Sequence, residues 1–309
     1  MTADFMTHFE TLTDPRIQRC KRHELMDILF LSISAVLCGA DGWEEIEDFG
    51  HARLDWLRRY FTYAEGVPGH DTIARVLSRL EPNAFQSSFM SWIQAAVELS
   101  EGEVVAIDGK TARRSFKTGD RKSALHLVSA WACQNRAVLG QRKVDSKSNE
   151  ITAIPVLLEL LDIKGSIITI DAMGTQREIA RQIIDKEADY VLALKGNQGS
   201  LHDEVQLLFN EPLPNGYREQ KSEAQVEGDH GRIETRQYRQ ILLEKPSFLA
   251  AEGWVGLRSV LEVTATRDDG KKISSEKRYF ISSLSLDVER ASRAVRQHWA
   301  VENSLHWVL

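Results

Sequence analysis

A chain of 309 residues with 42% hydrophobic and 27% charged residues is long enough for one large or two ordinary domains with a substantial core. Its formal charge of −6 excludes a surface that binds polyanions everywhere, so any nucleic-acid contact must come from local patches. Three single cysteines, Cys20, Cys38 and Cys133, support neither a zinc ribbon nor a disulfide framework. The apolar stretch from Leu25 to Ala40 is interrupted by Asp27, Ser32 and Ser34 and is too short and polar to span a bilayer. No charged leader with an apolar core opens the chain, so a cytoplasmic protein without a membrane partner is expected.

The first hundred residues read as helices. Residues 24 to 38 carry an apolar face at Leu25, Ile28, Leu29, Ile33 and Val36 and are ended by Gly39; residues 43 to 61 repeat the pattern through Ile46, Phe49, Leu54 and Leu57. A Gly/Pro turn leads to Asp71, an expected N-cap for a helix over 72 to 80, which Pro82 breaks before another helix over 85 to 99. Arg75 and Arg79, four residues apart, give the short helix the look of the second element of a helix-turn-helix. Such residues meet phosphates or guanine edges in the major groove; a solvated charged face is the plainer explanation.

From Glu103 the periodicity changes. Residues 104 to 107, 124 to 133 and 137 to 144 read as strands, the last two joined as a hairpin through Gln134, Asn135 and Arg136. A helix over 151 to 161, with Asn149 and Thr152 as caps, precedes a buried strand over 166 to 170, a helix over 176 to 186 and a strand over 190 to 194. Beyond Gly196 come polar segments, then short alternating runs over 236 to 243, 255 to 265 and 278 to 282, before a helix from Asp287 to the end. The expected organisation is α/β: a helical domain over 1–100, then a mixed-sheet domain over 101–309 with a β-rich insertion at about 200–285.

Three acids stand out. Asp108 and Asp171 each follow a buried apolar run, and Glu302 lies in an amphipathic segment. Carboxylates converging from rigid elements suit a pair of hard divalent cations, which about 3.5–4 Å apart stabilise the attacking and leaving oxygens of a phosphoryl displacement. Taken singly, each acid is more simply a turn former, a helix cap or a solvated residue. After Asp108, the strip from Lys110 to Lys122 carries a net +5, with Lys110, Arg113 and Arg114 nearest, where a phosphate backbone could lie; a solvated loop is the alternative. Lys195 and Asn197, at the end of the last core strand, are candidates for phosphate or base contact or a polar turn.

Several motifs in series carry a resemblance: Ile-Asp-Gly-Lys-Thr-Ala-Arg-Arg-Ser from Ile107, Lys-Ser-Asn-Glu-Ile-Thr-Ala-Ile-Pro from Lys147, Thr-Ile-Asp-Ala-Met-Gly-Thr-Gln from Thr169, and His-Trp-Ala-Val-Glu-Asn-Ser-Leu-His-Trp from His298. From about Phe9 to Leu309 the chain resembles bacterial insertion-sequence transposases related to the H-repeat-associated proteins of Rhs elements. The resemblance implies a DDE transposase with an RNase H-like core, in which the first and fourth strands are adjacent. It implies Asp108, Asp171 and Glu302 as catalytic and metal-binding triad, with Mg²⁺ as cofactor and Mn²⁺ as substitute. It further implies double-stranded DNA, at element ends and target, as the partner of a homodimer. Nicking at the element end would be followed by strand transfer from the freed 3′-OH.

Two departures accompany it. Many related enzymes have an Arg four residues before the Glu and a Lys seven after it, where this chain has His298 and Leu309; His298 keeps a hydrogen-bond donor for phosphate. Relatives also continue past the Trp-Val-Leu at 307–309, so a truncated product is expected, with an inactive remnant that only binds DNA or transposase subunits as the alternative function. A standalone RNase H-type nuclease is a third reading, against which the helical first hundred residues speak.

Overall fold

The computed structural model describes residues 2–17, 19, 21–111, 115, 125–144, 149–213, 217–229, 232–243, 253–268, 270, 272–299 and 301, in two units, Met1–Ala96 and Val97–Leu309. In the first unit, α1 (Thr2–Phe9), α3 (Trp43–Leu57), α4 (His70–Leu77) and α5 (Pro82–Ala96) share a core with α2 (Leu25–Leu37). α2 buries Leu25, Ile28, Leu29, Phe30 and Leu31, almost its full circumference, as expected of a central helix. Val36, placed on the apolar face by its spacing, is instead exposed at the helix's last turn. Aromatic rings fill the centre: Phe5 stacks on Phe9 at 4.4 Å and meets Phe30 edge-on at 5.3 Å. Each such burial stabilises by roughly 1.5–3 kcal/mol.

Three expectations change here. α4 starts at His70 with Gly69 as N-cap, so Asp71 lies in the first turn, where its charge still complements the helix dipole. The helix start is held by Glu47, whose carboxylate accepts from the His70 backbone N–H at 2.7 Å. Pro82 opens α5 rather than breaking a helix, because a first turn has no use for the missing N–H; Glu81 caps it by accepting from the Ala84 N–H at 2.6 Å. α4 ends at Leu77, so Arg79 lies past it and shares no helical face with Arg75.

In the second unit, the β-branched run of β1 (Val104–Thr111) pairs in parallel with β4 (Ile167–Ile170), and β4 with β5 (Asp189–Leu194). Val104–Ile107 and all of β4 are buried, the pattern of strands covered on both faces. β2 (His126–Ala132) pairs antiparallel with β1, and β3 (Ala137–Lys143) with β2, around a turn with Arg136 at φ +52°. Further strands follow: β6 (Arg218–Lys221), β7 (Gln225–Asp229), β8 (Arg232–Leu242), β9 (Ser259–Asp268) and β10 (Ile273–Ser282). All belong to one sheet of order β3-β2-β1-β4-β5-β10-β9-β8-β6, with β7 beside β8. β10 returns antiparallel to β5, with Tyr279 opposite Leu194.

α6 (Glu150–Leu160), α7 (Arg177–Asp185), α8 (Gly199–Asn210) and α9 (Val288–His298) complete the described elements. α9 lies on the sheet face of Val104, Ile167 and Val191. α6 lies on the other face, where its Ile154 and Ile170 of β4 both border Gly174. α8 falls where the sequence reads as polar segments; it buries Leu201, Val205 and Phe209 at four-residue spacing. No helix among the described residues is long and apolar enough to cross a membrane.

Candidate functional site

The β1–β4 ladder sets Val104 beside Ile167 and Ile107 beside Ile170; one more step in that register brings Asp108 level with Asp171. Adjacent strands lie about 4.8 Å apart and level residues of parallel strands share a face, so the two half-buried acids follow neighbouring strand positions on one face where β4 ends. Asp108 is not at a strand end, as its sequence setting suggested. β2 continues to pair with β1 as far as Thr111, leaving Asp108 inside the strand opposite Ser129.

The loop after Asp171 is held by its own polar groups. Asp171 Oδ1 accepts from the backbone N–H groups of Met173 and Gly174, each at 3.1 Å. Thr175 Oγ1 bonds to the Ala193 carbonyl at 2.7 Å and lies 3.1 Å from the Asp171 carbonyl, tying the loop to β5. Asn197, in a single 3₁₀ turn over Gly196–Gln198, donates from Nδ2 to the Ala172 carbonyl at 2.7 Å, and Gln198 Nε2 donates to the Thr175 carbonyl. Asn197 therefore braces the loop that carries Asp171.

α9 is aimed at the same place. Asp287 caps it by accepting from the Arg290 N–H, and Val288, Ala291, Ala294 and Val295 pack on Val104, Ile167 and Val191. Because strand side chains alternate, Ala106, Asp108, Thr169 and Asp171 share that face. His298 Nδ1 lies 3.0 Å from Thr169 Oγ1, and Val301 is buried against Ala106 and Trp131. The chain thus reaches the face of the two acids one residue before Glu302. Glu302 itself, like Arg113 and Arg114, lies outside the described residues.

Lys110, half-buried, follows Asp108 by two residues on the same face. Lys195, exposed, follows by two residues Ala193, the position level with Asp171 on β5. Arg75 and Arg79 are exposed in the helical unit. Among the described residues no group of three or more His, Cys, Asp or Glu side chains forms a metal-ligand cluster. The adjacent pair offers only carboxylate oxygen, the donor type that Mg²⁺ and Mn²⁺ prefer.

Two further groups of side chains were not apparent in the sequence. Between α9 and strands β8 to β10 lies a cleft lined by Arg236, Arg267, Arg278, Arg296, Glu227 and Glu234. Trp299 is stacked under the Arg278 guanidinium at 4.7 Å. Glu227 receives Arg236 at 2.8 Å and Arg296 at 2.7 Å; burial works to raise its pKa, but the two guanidiniums outweigh it and hold the carboxyl below the usual range. On the α6 face, Glu150 Oε1 lies 2.7 Å from His126 Nε2, and His126 Nδ1 lies 3.0 Å from Thr111 Oγ1. The only sequence signal for Glu150 was an acid at the start of a helix; its partner is 24 residues away.

Residues 99–309 match the family model described as Transposase DDE domain, and residues 6–93 match the one described as DDE_Tnp_1-associated. The chain is 47% identical over 308 residues to "Putative transposase YncI" of Escherichia coli O157:H7, covering 98% of this chain and 78% of that protein. It is 43% identical over 311 residues to "H repeat-associated putative transposase YhhI" of Escherichia coli K12, covering 98% of this chain and 81% of that protein. A shorter relative, "Inactive transposase YbfQ" of the same strain, is 50% identical over 74 residues, 24% of this chain and 88% of that protein.

Proposed function

The chain belongs to the family of DDE-domain transposases, and from that premise we propose that it cuts and rejoins double-stranded DNA at the ends of an insertion sequence, with Asp108, Asp171 and Glu302 as its catalytic acids. The observation that carries this reading is the parallel β1–β4 register, which sets Asp108 level with Asp171 on the face where α9 packs. The order β3-β2-β1-β4-β5, antiparallel then parallel, supports an RNase H-like core, and the run of β6 to β10 between β5 and α9 in the chain supports reading it as an insertion, although β10 joins the same sheet beside β5.

Asp108 and Asp171 would hold the divalent cation, Mg²⁺ or its substitute Mn²⁺, together with Glu302. When bound, such an ion polarises a phosphoryl oxygen and lowers the pKa of the attacking water or hydroxyl. The protein's own residues do the rest. The turn at Asp171 holds one carboxylate oxygen on two backbone N–H groups and so fixes the direction of the other. Lys110 and Lys195, on the acid face, attract the phosphodiester, with Arg113 and Arg114 continuing the positive strip. His298, held by Thr169, is the donor nearest the Glu302 segment. Arg75, Arg79 and the helical unit are assigned to DNA contact, and a homodimer would engage the two element ends.

The test is a nicking and strand-transfer assay on terminal inverted-repeat DNA with Mg²⁺ or Mn²⁺, comparing wild type with Asp108→Ala. Metal-dependent nicking that disappears in the variant is expected. Nicking that survives Asp108→Ala overturns the assignment, and a wild type that binds the DNA without nicking it leaves only the binding role.

A further inference from the structure

β1 carries Asp108 on a stretch that has lost one neighbour. Pairing with β4 stops at Ile107, and Asp108 to Thr111 are paired only with residues 126 to 129 of β2 among the described residues. Past Ile107, β1 is thus the edge strand of a three-stranded extension in which β2 also pairs with β3 from Leu127 to Ser129, and a strand paired on one side only is held less firmly than one paired on both. An acid whose position matters needs support from elsewhere.

That support comes from the opposite face. Gly109 faces α6, and a Cβ built on it would overlap the Oε1 and Cδ atoms of Glu150. The glycine therefore leaves room for a carboxylate pressed against the backbone one residue after Asp108. Glu150 is the first residue of α6, where negative charge suits the helix dipole, and its side chain is 17% exposed. From there Oε1 reaches His126 Nε2 on β2, and His126 Nδ1 reaches Thr111 Oγ1, directly across the β1–β2 ladder. With Nε2–H donating to the carboxylate, Nδ1 accepts the Thr111 hydroxyl proton, so both ring nitrogens have a role. α6 is thereby fastened to β1 and β2 at the level two residues past the glycine.

We propose that Glu150 is a positioning residue which, through His126 and Thr111 and by filling the space over Gly109, holds the Asp108 segment in the geometry that binds a divalent cation. This rests on the reading of Asp108 and Asp171 as the cation's ligands. Glu150 touches neither substrate nor cation; it acts through the backbone behind Asp108.

The test measures Mn²⁺ binding to the full chain by loss of the free-ion electron paramagnetic resonance signal. Removing an outer-shell partner weakens metal affinity by about 10–100-fold, and that loss is expected for Glu150→Ala and for Gly109→Ala, which evicts the carboxylate. Glu150→Gln keeps an oxygen that accepts from His126 and should stay near the wild-type affinity. The double variant Gly109→Ala/Glu150→Ala should bind no worse than Glu150→Ala alone, because the overlap is gone. If Glu150→Ala loses its circular dichroism signature, His126→Gln, which leaves α6 intact, is expected to show the same weakening. Wild-type affinity in Glu150→Ala or in a folded His126→Gln, or losses that multiply in the double variant, would overturn the clamp. Where that occurs while Asp171→Asn still abolishes Mn²⁺ binding, only the clamp fails. If wild-type Mn²⁺ binding is absent, or unaffected by Asp171→Asn, the cation reading fails and the clamp with it.

Discussion

Glu262 and Asp171 sit in the same sheet and are treated in opposite ways. Glu262, on β9, is 2% exposed and is met by Arg239 Nη1 at 3.1 Å, Lys277 Nζ at 2.9 Å and the Tyr279 hydroxyl at 3.2 Å. Arg239 and Tyr279 are its direct cross-strand partners on β8 and β10. Asp171 is instead given two backbone N–H groups and a second acid at the level position on the next strand. An acid surrounded by cross-strand cations and donors is neutralised by the fold, and its charge serves stability. An acid set beside another acid adds repulsion to the folded state, which the proposed divalent cation would relieve.

Removing the neutralised acid has the largest expected effect. Glu262→Ala removes the buried acceptor shared by Arg239, Lys277 and Tyr279; Arg239 keeps Glu219 at 2.6 Å and Lys277 is 45% exposed, so the cost in urea unfolding should be about 3 kcal/mol. A cost below about 1 kcal/mol, the range of exposed pairs, would break the contrast.

Asp171→Asn should act in the reverse direction. Without metal its thermal midpoint is expected to rise as the repulsion with Asp108 is relieved. At a Mn²⁺ concentration a hundredfold above the dissociation constant, wild type should gain about 2.7 kcal/mol that the variant does not. Equal midpoint shifts in the two proteins would mean the ion sits elsewhere.

Alkaline titration sharpens the Glu262 side. Burial first, and the neighbouring Glu262 carboxylate second, push the Tyr279 hydroxyl from its ordinary 10 up to about 12. The unfolded chain therefore releases this proton first. The contribution is complete below pH 10 and is lost as the pH rises to about 12. Stability measured by denaturant across that window should fall less steeply in Tyr279→Phe; an unchanged slope would remove Tyr279 from the cluster. The smallest effect is expected at Lys277, 45% exposed, where Arg239 and Tyr279 remain to serve Glu262. Lys277→Ala should cost no more than about 1 kcal/mol in the same assay.

How much of this could be read in advance depended on whether neighbours in space were neighbours in pattern. β4 and β5 were legible because a strand covered on both faces must be an unbroken apolar run. β6 and β7, polar and at the sheet's far edge, had no such constraint and were missed. α8 was missed although Leu201, Val205 and Phe209 carry helical spacing, because the Lys-Gly-Asn-Gln before it reads as a turn and the polar residues between those positions mask the apolar face. At the site, Asp108 and Asp171 were marked by their flanks. Their adjacency came only from the family resemblance, since register is a property of pairing and not of spacing. Glu150, His126 and Thr111 were beyond reach for the same reason, as was the capture of Asn197 by the Ala172 carbonyl.

The return of β10 to β5 also governs the order in which the molecule can assemble. Leu194 meets Tyr279 only after α8 and four other strands have been threaded between them, and β1 waits for β4 across β2, β3 and α6. Closures over such long stretches spend chain entropy before any contact returns it, which slows folding. α9, which caps Val104, Ile167 and Val191, comes later still in the chain. During synthesis the two acid-bearing strands are therefore made early and roofed late. A partly made chain has the acids without the enclosure until α9 has been synthesised.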